Sequence, residues 1–219
     1  MYLYSMDVLV QSGAMNGLNL TAGPLALFAL VASITPGPNN LLLMRSGAAF
    51  GIRRSVWHLA GVQIGFAGLV LLSHVGIGAM LLAVPGLFPL LRWACFGYLL
   101  WLAWIILRDT RPAGGDAAKT SPSSRPMSCV EAILFQLINP KAWMMAITVA
   151  TAFYGEHIPH ALDLATAIAV CLPIGATCML IWTLWGASID HVLKQPRARQ
   201  LYRYGMATAV ALTALWMLR

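Results

Sequence analysis

The chain has 219 residues, of which 59% are hydrophobic and only 10% are charged. Soluble domains carry about 25% charged residues, so this composition excludes an ordinary soluble domain and indicates a protein that lies in a lipid bilayer. The net charge of +7 does not indicate a nucleic-acid partner, because most basic residues fall in the connections between apolar stretches.

Six apolar stretches follow in chain order, each near the roughly 20 residues that a helix needs to cross the hydrocarbon core. They lie at about 22–45, 56–83, 87–107, 129–152, 161–187 and 201–218. The sequence therefore predicts an all-α membrane protein with six transmembrane helices. It contains no nucleophile elbow, HExxH, phosphate loop or CxxC, so we expect neither an enzyme nor a cofactor.

Basic residues mark the three odd-numbered connections between the predicted spans. They are Arg45, Arg53 and Arg54, then Arg108, Arg111, Lys119 and Arg125, and finally Lys194, Arg197, Arg199 and Arg203. Cytoplasmic loops carry the excess of Lys and Arg, so these connections are predicted to be cytoplasmic. Both termini, including an N-terminal segment at 1–21, are then extracytoplasmic.

The spans divide into two three-helix repeats, 22–107 and 129–219, joined by a linker at 108–128 that is rich in Pro, Gly and Ser. Ile34-Thr35-Pro36 in the first helix corresponds to Ile138-Asn139-Pro140 in the fourth. Because each repeat has an odd number of spans, the second is inverted relative to the first. Inverted repeats with interrupted helices in corresponding places are typical of transporter binding sites.

The first helix is predicted to break near mid-membrane at Thr35-Pro36-Gly37-Pro38-Asn39-Asn40. The two prolines each remove a backbone donor and clash with the preceding turn. Unpaired backbone groups cost several kcal/mol in hydrocarbon, so the break should face protein, water or a substrate. Thr35 and Pro36 fit the N-cap and N1 positions of a restarted helix. The alternative is a proline kink that only shapes the bundle.

The fourth helix is predicted to break at Asn139-Pro140-Lys141, with Asn139 as N-cap and Pro140 at N1 of a second half-helix. The free N–H groups and the positive dipole end of that half-helix favour a carboxylate. Lys141 adds a full charge, and a lysine inside a membrane indicates a functional site. The alternative is that Lys141 extends along the helix to the interface or pairs with a backbone carbonyl.

His58 and His74 are the candidate proton carriers, because their side chains titrate near neutral pH and no Asp or Glu lies centrally in a span. The alternative for each is a packed histidine with a satisfied hydrogen bond. The loop Glu156–His160 has two histidines three residues apart but lacks a thiolate, so we expect a solvated loop rather than a metal site.

Gly61 and Gly65 have the spacing of a close helix contact. The pattern leaves open whether the neighbouring helix belongs to the same chain or to a second copy in a homodimer. The four cysteines form no CxxC pair and are interpreted as small hydrophobic residues of a helix bundle.

The segment Ile34 to Leu41, followed by Gly47 and Gly51-Ile52-Arg53-Arg54, resembles the start of the LysE/RhtB family of amino-acid exporters. Gly97-Tyr98-Leu99 and the stretch Phe135 to Ala142 resemble later motifs of that family. The resemblance implies a six-span bundle in the bacterial cytoplasmic membrane. It also implies export of amino acids or close derivatives, driven by the proton gradient.

The function predicted from these features is export of a small amino acid or derivative by a secondary transporter. The predicted substrate-binding residues are Thr35, Pro36, Gly37, Pro38, Asn39, Asn40, Asn139, Pro140 and Lys141. One alternative is a metal-ion exporter of related architecture, for which Cys171 and Cys178 share a helix face. The other is a membrane scaffold that transports nothing.

Overall fold

The computed structural model describes residues 22–108, 125–154, 161–189 and 196–216, and the regular elements within these ranges are all α-helices. In chain order they are α1 (Ala22–Ile34), α2 (Pro38–His74), α3 (Ile77–Ala83), α4 (Leu87–Arg108), α5 (Cys129–Ile138), α6 (Pro140–Ala152), α7 (Ala161–Ile189) and α8 (Pro196–Trp216). The segment at 1–21, most of the linker at 108–128 and the Glu156–His160 loop lie outside the described residues.

Three helices are each long and apolar enough to cross a bilayer, namely Pro38–His74, Leu87–Arg108 and Ala161–Ser188. α5 and α6 qualify together as one broken span with a 74° bend. α1 is apolar but shorter than a span. The all-α prediction is thus confirmed for the described residues, length and composition support up to four spans, and the six-span count stays a prediction.

The helix α2 changes direction at Gly51, within the first basic connection predicted from the sequence. Its 37 residues would extend about 55 Å as one straight helix, well beyond the roughly 30 Å of a hydrocarbon core. Gly51 has φ 75° and ψ 170°, a backbone conformation that glycine adopts far more readily than other residues. The segments 38–50 and 52–74 are therefore separate helical arms.

The predicted span at 56–83 is not one continuous helix. α2 ends at His74, and Gly76 follows in the left-handed conformation with φ 88° before α3 begins. A glycine in this conformation just past a helix end is a common stop signal. Hydropathy alone cannot detect such a stop, because the residues on both sides are equally apolar.

Two glycine contacts hold α2 against its neighbours. Gly47 and Gly186 lie where α2 and α7 cross, and a Cβ on either would overlap a backbone carbonyl of the other helix. Gly61 and Gly65 lie equally close to α5, where a Cβ would overlap the Cys129 carbonyl and the Gln136 side chain, respectively. The close contact predicted for Gly61 and Gly65 is therefore present, and the neighbour belongs to the same chain. These contacts bring the helix breaks after α1 and after α5 close together.

Many large apolar side chains lie on the outside of the bundle. Leu90, Trp93 and Leu212 are each about 60% exposed, and similar residues occur on every long helix. Monomeric soluble proteins rarely expose large continuous apolar patches. This surface fits contact with lipid, as the composition predicted.

Candidate functional site

The first break lies between Ile34, which ends α1, and Pro38, which begins α2. Gly37 is the N-cap of α2 and is extended, with φ −168° and ψ 175°. The prediction that Thr35 caps a helix starting at Pro36 is therefore wrong. A residue before proline avoids the helical conformation, and Gly37 precedes Pro38. The second proline thus delays the restart by two residues.

Side chains from α2 and α7 donate hydrogen bonds to the carbonyl groups at this break. Asn40 Nδ2 donates to the Ser33 carbonyl at 2.8 Å and to the Thr35 carbonyl at 2.9 Å. Trp182 Nε1 donates to the carbonyl of Ile34 at 3.2 Å. The sequence predicted that these groups need partners, and the structure supplies them from within the chain. Asn40 uses its amide donors to hold the break together.

Lys141 joins the second break to the first. Its ammonium group donates to the Thr35 carbonyl at 2.9 Å, to Thr35 Oγ1 at 3.0 Å and to the Pro36 carbonyl at 3.3 Å. The three acceptors match the three donors of an ammonium group. Of the two predicted alternatives, pairing with a backbone carbonyl is thus the one that this conformation shows.

Gly37 leaves the space that the lysine side chain occupies. A Cβ at this position would lie 3.0 Å from both Cδ and Nζ of Lys141. The extended backbone of Gly37 is open to any residue, so this close approach is the local reason for glycine.

The second break has the capping predicted for it. Asn139 is the N-cap of α6, Pro140 is at N1, and Asn139 Oδ1 accepts from the Lys141 N–H at 3.2 Å. However, the predicted free N–H groups are not free. The N–H groups of Ala142 and Trp143 both donate to the Asn139 carbonyl. The positive character of this helix end therefore comes from the helix dipole and the Lys141 ammonium.

Gln136, which is not among the predicted substrate-binding residues, bridges the two breaks. Its Oε1 accepts from Asn39 Nδ2 at 2.9 Å and from Asn139 Nδ2 at 3.4 Å. Its Nε2 donates to the Val62 carbonyl at 3.2 Å, and the side chain is only 1% exposed. A buried amide in an otherwise apolar span, three residues before Asn139, was a signal that could have identified it.

A cavity lies beside this network, and we call it the central cavity. Its polar lining is Ser33, Asn39, Asn40, Gln63, Gln136, Asn139 and Lys141. Cys171, Gly175 and Met145 form part of its apolar wall. The space that a water centre can reach is about 40 Å³, room for roughly three waters.

Asn39 Oδ1 is a buried acceptor without a hydrogen-bond partner among the described residues. The asparagine uses its Nδ2 for Gln136 and contributes to the lining of the central cavity. Buried polar atoms are normally paired, so this oxygen is available to a ligand donor.

The two histidines differ in their surroundings. His74 Nδ1 lies 2.9 Å from the carbonyl of Val70, and its ring packs near Tyr154. His58 is 2% exposed, and neither ring nitrogen has a hydrogen-bond partner within the described residues. Neither histidine lines the central cavity.

The LysE type translocator family model matches residues 30–218, a range that includes both breaks and nearly the whole lining of the central cavity. The chain belongs to the LysE type translocator family. The range also includes Gln136, so the amide bridge lies within the matched region of this translocator.

Curated relatives of this translocator have a common description. The chain is 32% identical over 170 residues to a cysteine/O-acetylserine efflux protein of Escherichia coli O1:K1 / APEC, covering 77% of this chain and 83% of the relative. Proteins of the same description from Escherichia coli strain K12 and Shigella flexneri serotype 5b are 31% identical over the same shares. No solved structure matches the chain. Family and relatives together support a multi-pass membrane exporter.

Proposed function

We propose that this translocator exports a small amino acid or amino-acid derivative from the bacterial cytoplasm, with cysteine and O-acetylserine as the first substrates to test. The observation that supports the proposal most directly is the unpartnered Asn39 Oδ1 beside the central cavity. A zwitterion needs an acceptor for its ammonium group and a cation for its carboxylate. Asn39 and Lys141 supply both at one cavity.

The substrate ammonium group would donate to Asn39 Oδ1, with Gln136 holding the asparagine in place. The carboxylate would take one ammonium donor of Lys141, and the 3.3 Å contact to the Pro36 carbonyl is the longest of its three bonds. The helix dipole of α6 adds to this attraction. Thr35, Asn40 and Asn139 then act mainly by positioning the two breaks.

The central cavity is too small for a whole amino acid in this conformation, so binding requires the bundle to open. Two inverted three-helix repeats that rock about the site would open it to each side in turn. Six spans, basic connections in the cytoplasm and extracytoplasmic termini are the arrangement that this mechanism needs. Their support is the charge pattern of the loops and the similar breaks in the two halves.

Proton coupling is the second part of the proposal. His58 fits the role of proton carrier better than His74, because its ring nitrogens are unpartnered whereas His74 is tied to Val70. A proton on His58 would have to be released when the bundle changes conformation. Collapsing the proton gradient with an uncoupler should then stop export, whereas collapsing a sodium gradient should not.

The test is export from cells loaded with a panel of dipeptides, whose hydrolysis releases single amino acids inside the cell. Cells that produce the chain should release cysteine or another small amino acid faster than cells that produce Asn39→Ala at equal membrane abundance. Gln200→Ala, which changes an exposed amide on α8, is the matched control and should export normally. Equal export by the chain and by Asn39→Ala would overturn the assignment of this site.

A further inference from the structure

The wall that α7 gives to the central cavity has a gap at Gly175. Cys171, Gly175 and Met179 follow one another at intervals of four residues on α7, and all three line the cavity. Residues four apart on a helix share one face. Cys171 and Met179 are buried, and the glycine between them has no side chain. We call the gap between these two side chains the Gly175 notch.

Gly175 is a buried glycine that helix packing does not require. A Cβ there would lie 3.6 Å from both Nε2 and Oε1 of Gln63 and 3.8 Å from Ser33 Oγ, which are ordinary contact distances. At Gly47 and Gly186, by contrast, a Cβ would overlap a backbone carbonyl of the other helix. The missing side chain at Gly175 therefore leaves room inside the cavity, between α7 and the polar groups of α1 and α2.

Gln63 and Ser33 form the polar side of the notch, and both line the cavity. Gln63 Nε2 donates to the Leu172 carbonyl of α7 at 2.9 Å. This bond uses one of the two N–H donors of the amide. The other N–H and the Oε1 of Gln63 can therefore pair with one polar group of a ligand, as donor or as acceptor.

The notch is connected to the proposed ammonium site through Gln136. The Oε1 of Gln136 accepts from Asn39 Nδ2 at 2.9 Å, and its Nε2 donates to the Val62 carbonyl at 3.2 Å. Val62 immediately precedes Gln63, so one amide group joins Asn39 to the backbone beside the notch. An amino acid whose ammonium group meets Asn39 Oδ1 can thus place a short side chain in the notch.

The charges of the central cavity exclude a charged side chain. Among the described residues that line it, Lys141 is the one charged residue and none is an acid. The proposed function pairs Lys141 with the substrate carboxylate. The second ammonium group of a basic amino acid would then be buried without a counter-ion, and so would the second carboxylate of an acidic one. Burial of an unpaired charge is strongly unfavourable.

We propose that the Gly175 notch receives the side chain of the substrate and restricts export to neutral amino acids with short side chains, with preference for a polar atom that meets Gln63. The inference rests on the proposed function, from which it takes the positions of the ammonium and carboxylate groups. Since the notch belongs to one helix, it would keep its shape when the bundle opens. Gly175 then limits the length of the side chain, whereas Asn39 and Lys141 bind the groups that all amino acids share.

The test is uptake by energised inside-out membrane vesicles, which present the cytoplasmic face to the medium. The labelled substrates are alanine, cysteine (under reducing conditions), homoserine, norvaline and lysine. Homoserine and norvaline have side chains of equal length that differ only in a terminal hydroxyl or methyl group. The unaltered chain should take up the neutral amino acids, homoserine with a lower KM than norvaline, and should not take up lysine.

Gly175→Ala should shorten the notch by one methyl group. The ratio of the KM for homoserine to the KM for alanine should then rise about tenfold, the discrimination typical of one methylene group in a pocket. Gly68→Ala, where a Cβ meets nothing within 4 Å, is the matched control and should leave this ratio unchanged.

Two further variants keep the test independent of any damage to the fold. Cys171→Ala widens the notch, so the KM for norvaline should fall several-fold, a gain that a damaged protein would not show. Gln63→Leu removes the polar side and should abolish the preference for homoserine over norvaline.

A hinge is the competing explanation for Gly175, because Pro173 lies inside α7 two residues earlier. A hinge predicts that Gly175→Ala lowers the maximal rate for all substrates alike, alanine included. That result, an unchanged ratio of KM values in Gly175→Ala, or uptake of lysine by the unaltered chain would overturn the notch.

Failure of the proposed function gives a different result. Vesicles with the unaltered chain would then accumulate none of these amino acids, and both proposals would fall together. Uptake with the same substrate preference in Gly175→Ala as in the unaltered chain would remove only the notch.

Discussion

Gln136 is the residue through which the two helix breaks contact each other. Its Oε1 accepts hydrogen bonds from Asn39 on α2 and from Asn139 at the start of α6. These residues are far apart in the sequence, and the glycine contacts of α2 bring them together. Lys141 makes the second connection, to Thr35 and Pro36. At this scale the site consists of two polar connections between the first and second halves of the chain.

Replacing Gln136 with Ala should abolish most transport and lower stability. The change leaves the amides of Asn39 and Asn139 without their acceptor, and a buried unpaired group costs about 1–3 kcal/mol. We expect the export rate to fall by more than about tenfold and the melting temperature in detergent to fall. Gln136→Glu keeps an acceptor for Asn39, so its export rate should fall less than that of Gln136→Ala. Gln200→Ala should change neither the export rate nor the melting temperature. Normal export by Gln136→Ala would remove the bridge from the mechanism.

Replacing Gly37 with Ala should disturb transport more than folding. The new methyl group would lie 3.0 Å from Lys141 Nζ, so the flexible lysine would move and weaken its bonds to Thr35. We expect export to fall several-fold with membrane abundance unchanged. Gly68→Ala is the matched control, because a Cβ there meets nothing within 4 Å. Equal export by Gly37→Ala and Gly68→Ala would show that transport does not need the close approach of Lys141 to Gly37.

At the scale of elements, the crossing of α2 and α7 fixes the bundle. The backbones touch at Gly47 and Gly186, where the neighbouring atoms are carbonyl groups that cannot rotate away. α5 packs on the opposite arm of α2 through Gly61 and Gly65. The helices that bear the two breaks are therefore held by backbone contact.

Gly47→Ala and Gly186→Ala should each destabilise the protein severely. The added methyl groups would overlap the Thr183 and Met44 carbonyls, respectively, so the helices must separate. We expect loss of protein from the membrane fraction or a large drop in melting temperature. Gly97→Ala and Gly205→Ala, where a Cβ meets nothing within 4 Å, should behave like the unaltered chain. A normal melting temperature for Gly47→Ala would show that the backbones of α2 and α7 are farther apart at Gly47 than described above.

The sequence predicted the positions of the breaks but only part of their detail. Asn139 and Pro140 cap α6 as predicted, because capping depends on adjacent residues. The restart at Pro38 rather than Pro36 depends on how the two prolines act together, because Pro38 keeps Gly37 out of the helical conformation. The Asn39–Gln136 bond joins residues 97 positions apart, and no local pattern encodes such a pair. The stop at His74 depends on one glycine in a uniformly apolar stretch.

At the scale of the whole molecule, two cavities lie along one line of helices, with a thin apolar layer between them. The central cavity has a volume of about 40 Å³, whereas the second cavity, which Arg45 and Arg125 help to line, has a volume of about 480 Å³. The bundle is therefore more open at one end than at its centre. Arg45 and Arg125, which line the larger cavity, belong to connections that are predicted to be cytoplasmic, so this cavity is predicted to lie at the cytoplasmic end of the bundle.

The predicted orientation can be checked with reporter fusions. Alkaline phosphatase fused after residue 219 should be active, because the C-terminus is predicted to be extracytoplasmic and this enzyme needs the oxidising periplasm. A fluorescent protein inserted within 108–128 should be bright, since that linker is predicted to be cytoplasmic. The reverse pattern would invert the assignment of both ends.

The three bonds from Lys141 to Thr35 and Pro36 have a consequence for the carrier when it is empty. A proton-coupled exporter, as proposed above, would let protons return without moving a substrate if it changed conformation without cargo. Because Lys141 joins the two helix breaks when no carboxylate is bound, we expect its bonds to slow such empty cycles. The charged side chain at this break would then serve to limit the loss of protons in empty cycles, as well as to bind the substrate.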